Sequence, residues 1–271
     1  MRTIAHLSDL HFGRINPVII SPLIATINEL KPDVIAVSGD LTQRARSNQF
    51  KAARAFLDAL PKPQIVVPGN HDVPLHNMFA RFLLPLKKYR EYITDDLAPS
   101  YADGEIVILG VNTARSLTIK GGRINNRQVR WLKEQFCTAG PSVVKIGVTH
   151  HPFDLPEGSD ARDLVGRARM AMEELAGCGA DLFLAGHMHM SYAGQTAKRY
   201  KLGGKTAILI LAGTASSTRS RGESNSFNVI RINYPEISIE RQRWHSAESA
   251  FIGQITDRFR RGNAGWIRIE T

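Results

Sequence analysis

The stretch QIVVPGNHDVP, residues 64–74, sets a short apolar run directly against Pro-Gly-Asn-His-Asp. The run suits a buried strand, and Pro68-Gly69-Asn70 is strong turn chemistry. Taken alone, the segment reads as an ordinary turn. The alternative is a site, in which the turn aims Asn70, His71 and Asp72 at a ligand. The rest of the chain decides, because the same pattern recurs. TIAHLS (3–8) runs into Asp9 and His11, and DVIAVSG (33–39) into Asp40. SVVKIGVT (142–149) runs into His150 and His151, and DLFLAG (181–186) into His187 and His189.

Helix-like segments alternate with these runs. An apolar helical pattern falls near 17–30, and another near 47–60 with Ser47 as its cap. A third near 126–138 is opened by Asn125 or Asn126, and a fourth lies near 161–177. EIVILGV (105–111) adds a further strand. Strands alternating with helices predict βαβ units and a largely parallel, buried sheet. The tail changes character: TAILILAG (206–213), SFNVIRI (226–232) and EISIERQRW (236–244) read as consecutive strands, the last two joined at NYP. The expectation is one α/β domain over 1–271, with the part from about 190 to 271 adding strands to a second sheet and a tail. No repeat, low-complexity segment or clear linker interrupts it.

Composition narrows the class. The 271 residues are 43% hydrophobic and 22% charged, enough apolar material for a sizeable core. The opening MRTIAHLSDLHFG turns polar too soon for a signal peptide, and no apolar run approaches the roughly 20 residues that span a bilayer. Cys137 and Cys178 have no metal-like spacing, so neither a thiolate metal site nor a disulfide framework is expected, and a reducing, cytoplasmic setting fits. The formal charge is +10. Such a surface draws phosphate esters, nucleic acid or acidic lipids, although a solvated basic face without a partner explains it equally well. The basic residues are scattered and lack the aromatic interleaving of a single-strand stacking platform.

Five strands therefore leave their cores at ligand-type residues, and in open α/β sheets sites form outside the carboxyl ends of strands. Asp9-x-His11 and His187-x-His189 are i, i+2 pairs, which point to one side in extended chain. Each turn alone means little, but six of the nine histidines sit in these clusters, which points to a shared metal site. Nitrogen and oxygen donors without thiolate suit Mn, Fe, Zn or Co. Seven or so candidates exceed one tetrahedral ion and suit two ions about 4 Å apart, with Asp40 as the natural bridging carboxylate.

The blocks DLH, GDLT, GNHD, HHP and GHMH, in this order over residues 9–189, resemble the five signature blocks of the calcineurin-like metallophosphoesterases. Their wording is similar to the bacterial class III cyclic-nucleotide phosphodiesterases and glycerophosphodiesterases. The resemblance implies a four-layer αββα sandwich of two mixed β-sheets flanked by helices. It implies that Asp9, His11 and His189 hold one metal and that Asn70, His150 and His187 hold the other, with Asp40 and a hydroxide bridging them. His150 is favoured over His151 because the family places its ligand two residues before the proline. His71 stays outside the coordination shell as the catalytic group, and Asn70 and His71 meet the substrate. Asp72 orients His71 or caps the turn, and Thr42 is a surface hydroxyl.

The implied activity is metal-dependent hydrolysis of a small phosphodiester, such as a cyclic nucleotide or a glycerophosphodiester. A nuclease or phosphomonoesterase of the same superfamily is the second reading, and nucleic acid is the less favoured partner because no separate binding module appears. A metal-binding interaction scaffold is the third, and His71 argues against it. Asn112, His76, Arg115 and His151 are candidates for lining the substrate pocket. Segments 76–104 and 190–271 are candidates for specificity or homo-oligomer contacts.

Overall fold

The computed structural model describes residues 1–75, 77–196, 199–200, 206–219 and 222–270, with only the backbone considered at 255 and 256. His76, Lys198, Lys201, Lys205 and Arg221 lie outside the described residues.

Strands β1 (Arg2–Leu7), β2 (Val34–Ser38) and β3 (Gln64–Val67) pair in parallel, and helices α1 (Pro17–Leu30) and α2 (Ser47–Asp58) connect them. Short helices α3 (Met78–Leu83) and α4 (Lys87–Tyr92) follow, then strands β4 (Ser100–Ala102) and β5 (Ile106–Gly110). Helix α5 (Asn126–Thr138), strand β6 (Val144–Val148), helix α6 (Ala168–Ala176) and strand β7 (Leu182–Ala185) come next. The chain ends in β8 (Tyr192–Gln195), β9 (Ile208–Leu211), β10 (Ser226–Asn233), β11 (Glu236–His245), β12 (Ala250–Gly262) and β13 (Gly265–Ile269).

These strands make two mixed sheets. One has the order β13-β12-β11-β10-β1-β2-β3, the other β4-β5-β6-β7-β9-β8. The alternation of side chains along each strand explains why two layers form. In β2, Val34 and Ala36 face a core shared with Ile106, Ile146 and Leu184 of the other sheet, while Ile35 and Val37 face α1 and α2. In β5, Ile106 and Ile108 face the shared core, while Val107 and Leu109 pack with α5 and α6. Strands buried on both faces read as unbroken apolar runs, which is how VIAVS and IVILG appear in the sequence. The result is helices, sheet, sheet, helices.

Several sequence expectations need adjusting. β8 and β9 belong to the sheet of β5–β7, but β10 pairs antiparallel with β1, so β10–β13 extend the first sheet rather than a second one. β12 carries runs such as Asp257-Arg258 and Arg260-Arg261 in place of a clean alternation, and β13 is a short edge strand, so neither announces itself in the sequence. The helix expected near 161–177 is a 3₁₀ turn at Ala161–Asp163 followed by α6. Ser47 is the first residue of α2 rather than its cap: Arg46 takes the cap position, and the backbone N–H of Arg44 donates to Gln49 Oε1 at 2.8 Å. Asn125 does cap α5, with a reciprocal bond from Gln128.

The two cysteines are paired. Cys137 near the end of α5 and Cys178 just past α6 form a disulfide, with Cα atoms 4.7 Å apart. The expectation that these cysteines form no disulfide is overturned by this contact. A spacing of 41 residues carries no local sign of it, because the pairing follows from α5 packing against α6. Closing a loop of that length should stabilise the fold by about 4 kcal/mol through the unfolded chain. We expect the double variant Cys137→Ser/Cys178→Ser to unfold at lower denaturant by up to that amount. Thiol titration of the unreduced, denatured protein should find no free cysteine.

Candidate metal centre

All five expected strand ends converge, but on the seam between the sheets. β1, β2 and β3 deliver Asp9, His11, Asp40, Asn70 and His71 from one sheet, and β6 and β7 deliver His150, His187 and His189 from the other. Asp9, His11, Asp40, His187 and His189 all have φ between 49° and 69°. Left-handed backbone is uncommon for such residues and is sustained only where surrounding structure enforces it, commonly at functional sites.

Glycines clear the way. Gly39 has φ +89°, and a Cβ there would strike the His150 ring. A Cβ on Gly69 would collide with the Asp40 carboxylate. The GD and GN turns are therefore steric requirements for the close approach of Asp40 and His150.

The donor atoms fall into two groups. In one, those of Asp9, His11, Asp40 and His189 lie within 4.8 Å of one another. In the other, His150, His151 and His187 do the same, and Asn70 Oδ1 sits 3.1 Å from His150 Nε2. His187 and His189 thus diverge to different groups, because left-handed turns at both residues break the extended geometry that would have kept them on one side. Asp40 spans the groups: Oδ2 is 3.7 Å from His11 Nε2, and Oδ1 is 3.4 Å from His150 Nε2.

Hydrogen bonds fix which ring nitrogens face inward. His150 Nδ1–H donates to Ser38 O at 2.8 Å and His189 Nδ1–H to Arg219 O at 3.0 Å, leaving each Nε2 pointed at the centre. That is how a metal-binding imidazole is normally held. His151 differs. Its Nδ1 accepts from the Thr113 hydroxyl at 2.8 Å and its Nε2–H donates to Lys120 O at 2.8 Å. Both nitrogens are engaged, so proximity alone does not make His151 a ligand, and it braces the 113–120 loop instead of lining a pocket.

The set fits divalent cations. The Nε2 atoms of His11 and His189 face each other at 3.3 Å, and Asp9 Oδ1 lies 3.2 Å from the latter. Asp9 Oδ1 is buried and lacks a hydrogen-bond partner. Lone pairs converging in a buried space require a positive charge among them. Without a metal, protons supply it. Burial opposes the charged form of Asp9, yet His189 and His11 outweigh it and hold the carboxyl well below the usual range. Burial likewise opposes charge on His150, but Asp40 pushes it up to about 9. His187, with burial and His150 acting in the same direction, falls to about 4.

The neighbours of the site add detail. Of the two roles expected of Asp72, the structure shows the turn cap: Asp72 accepts from the backbone N–H groups of Gly69, Leu41 and Thr42 and from the Thr42 hydroxyl, all at 2.9–3.1 Å, so it also knits the turn after β3 to the turn after β2. Thr42 is fully buried rather than a surface hydroxyl. His71 Nδ1–H donates to Gln43 O at 2.9 Å, and its Nε2 accepts from the Arg219 guanidinium at 2.9 Å. Burial, His11 and Arg219 lower its pKa, so the ring is neutral. Beside it opens a depression of about 220 Å³ lined by Arg14, Gln43, Arg44, Asn70, His71, Lys120 and Arg219, among others. Asn112 and Arg115 line a separate cleft of about 800 Å³ against α4. The sequence offered Arg219 and Arg14 only as scattered basic charge. Arg219 enters the site because the loop after β9 returns beside β1, where Ala215 N–H donates to Ser8 O at 3.0 Å.

With fold and site in view, the chain can be placed: residues 2–191 match the family model of the calcineurin-like phosphoesterases, and the protein belongs to that family. Among curated proteins it is similar to the glycerophosphodiester phosphodiesterase GpdQ of Enterobacter lignolyticus, 28% identical over 170 residues, covering 56% of this chain and 58% of that one. The chain thus spans little more than half the length of this relative. Among solved structures, the purple acid phosphatase PPD1 of yellow lupin (Lupinus luteus) superposes with a TM-score of 0.68 at 11% identity, over 94% of this chain and 53% of that one. A single mutant of Vps29 from Entamoeba histolytica gives 0.50 at 12% identity, over 99% of both. These two likenesses concern the fold.

Proton displacement tests the donor set. His150 is protonated near neutral pH without metal, so an ion that takes its Nε2 must expel that proton. We expect uptake of Mn²⁺ at neutral pH to release about one proton from this residue. The apparent affinity should rise up to about tenfold per pH unit until pH reaches about 9. Titration in weak buffer with a pH indicator reads both, and uptake without proton release would exclude His150 as a ligand.

Proposed function

We propose that the protein is a phosphodiesterase acting on a small phosphodiester with two metal ions at this centre. The observation that carries the reading is Asp40, whose two carboxylate oxygens face the two donor groups while a basic depression opens beside them. Asp9, His11 and His189 would hold one ion, and Asn70, His150 and His187 the other, with Asp40 shared; Fe, Mn, Zn or Co suit the donors. Two bound cations would neutralise a diester and make water a competent nucleophile near neutral pH.

The remaining work falls to this chain's own groups. Arg219, aimed across the depression and supported through His71 Nε2, would bind the anionic oxygens of the ester, with Arg14, Arg44 and Lys120 drawing it in. Neutral His71, whose Nδ1–H is spent on Gln43 O and whose Nε2 lone pair is engaged by Arg219, would act by holding that guanidinium toward the phosphoryl oxygens. A diester is favoured over a macromolecular nucleic acid because the depression is small and its cations surround one spot. The GpdQ similarity supports a diester over a monoester.

Asp40→Ala should lose far more than the roughly 100-fold typical of outer-shell partners, since both ions depend on it, with unchanged circular dichroism. Near-normal turnover of bis(p-nitrophenyl) phosphate would refute the shared role. His71→Ala should keep both metals by elemental analysis and lose about 10²–10⁴-fold in rate. Because His71 is neutral, that loss should be equal for nitrophenyl and alkyl leaving groups. A loss that disappears with nitrophenolate would return His71 to general acid.

A further inference from the structure

Large apolar side chains lie in water beside the site. Phe79 is 69% exposed, Leu83 62%, Leu117 86% and Ile119 62%. Seven of the twelve exposed large apolar residues in the described chain fall within 78–84 and 117–119, so this is a patch and not random scatter. The two segments are far apart in sequence but are clamped together. Arg81, itself buried, donates to Ser116 O at 2.7 Å and Pro74 O at 3.0 Å, and also to Thr118 O. Ile119 and Lys120 line the depression at the metal centre, so the patch borders its mouth.

Charge identifies the occupant. Residues 73–90 and 113–123 contain seven Lys or Arg and no Asp or Glu, and Lys87, Arg90, Lys120 and Arg123 are exposed. Acidic residues return at Glu91 and Asp95, which share the cleft against α4 with Leu83, Leu84, Lys87 and Arg90. A second copy of a chain with net charge +10 would bring the same basic rim against this one and be repelled. Protruding aromatic and aliphatic side chains ringed by cations match the requirements of an anionic bilayer surface: the apolar groups enter the acyl boundary and the cations meet phosphate headgroups.

We propose that α3 and the 115–120 loop form a docking surface for anionic lipid bilayers, which sets the metal centre against phosphodiesters in lipid headgroups. The docking stands on the patch itself, and the substrate class rests on the phosphodiesterase reading above. Lipid headgroups are phosphodiesters, and a site whose rim inserts at the interface meets them without extracting the lipid.

The test is sedimentation of the metal-loaded full chain with phosphatidylglycerol vesicles and, separately, with phosphatidylcholine vesicles, alongside turnover of soluble bis(p-nitrophenyl) phosphate. The protein should pellet with phosphatidylglycerol, weakly with phosphatidylcholine, and less as salt rises. Phe79→Ser/Phe82→Ser should lower partition at least about tenfold while leaving soluble turnover unchanged. Lys87→Gln should lower it about fivefold. Absence of pelleting with phosphatidylglycerol while soluble turnover persists would overturn the docking and leave the phosphodiesterase reading standing. So would pelleting that the double serine variant does not reduce, or a solution dimer that this variant dissociates. Vesicle binding without turnover of any diester would sustain the docking and overturn the substrate half.

Discussion

The candidate metal centre is arranged around one buried carboxylate. Asp40 sits buried, in left-handed backbone, at the end of an interior strand. It accepts from His71 N–H at 2.8 Å, and its oxygens face His11 and His150. A negative charge in such a place is tolerable only with positive charge close on more than one side. Much of the surrounding sequence answers that requirement. Gly69 has no Cβ because Asp40 occupies the space, Gly39 has none because His150 does, and Asp72 ties the two turns so that they cannot move apart.

Much of the centre was legible in the chain because apolar runs ending in Asp, Asn or His are a local signal. Asp9, His11, Asp40, Asn70, His71, His150, His187 and His189 all stand out this way, and the structure gathers them. What the sequence hid is whatever depends on long-range packing. That β1–β3 and β6–β7 lie in different sheets cannot be seen from strands that look alike. The divergence of His187 and His189 depends on positive φ values that only tertiary contacts impose. Arg219 is one arginine among many until the loop after β9 is seen beside β1. The Cys137–Cys178 pair and the burial of Thr42 are likewise tertiary facts. β12 and β13 escaped because charge near and at the sheet edge blurs their alternation.

Family membership and the geometry around Asp40 constrain the chemistry together. The matched region, residues 2–191, contains every candidate ligand, while Arg219 and the antiparallel extension β10–β13 lie beyond it. The shared part of the fold thus supplies the candidate metal donors. The part outside it supplies the guanidinium that supports His71 and the edge that widens the first sheet. The exposed α3 patch lies in an excursion between β3 and β4 that is anchored to the first sheet through Tyr89, whose hydroxyl donates to Val66 O at 2.9 Å.

Each donor group draws residues from both sheets: His189 joins Asp9, His11 and Asp40 across the seam, and Asn70 meets His150 and His187 from the opposite side. An ion bound in either place would act as a cross-link between the two layers, closing a ring that runs from Asp9 through most of the chain to His189. In polymer terms it resembles a disulfide with a very long loop, restricting the unfolded chain while preventing one sheet from sliding over the other. Chelation would then loosen the seam first. The two layers should lose registry at the site end while Trp266, whose Nε1–H donates to Asp181 at 2.8 Å, still pins them at the far end.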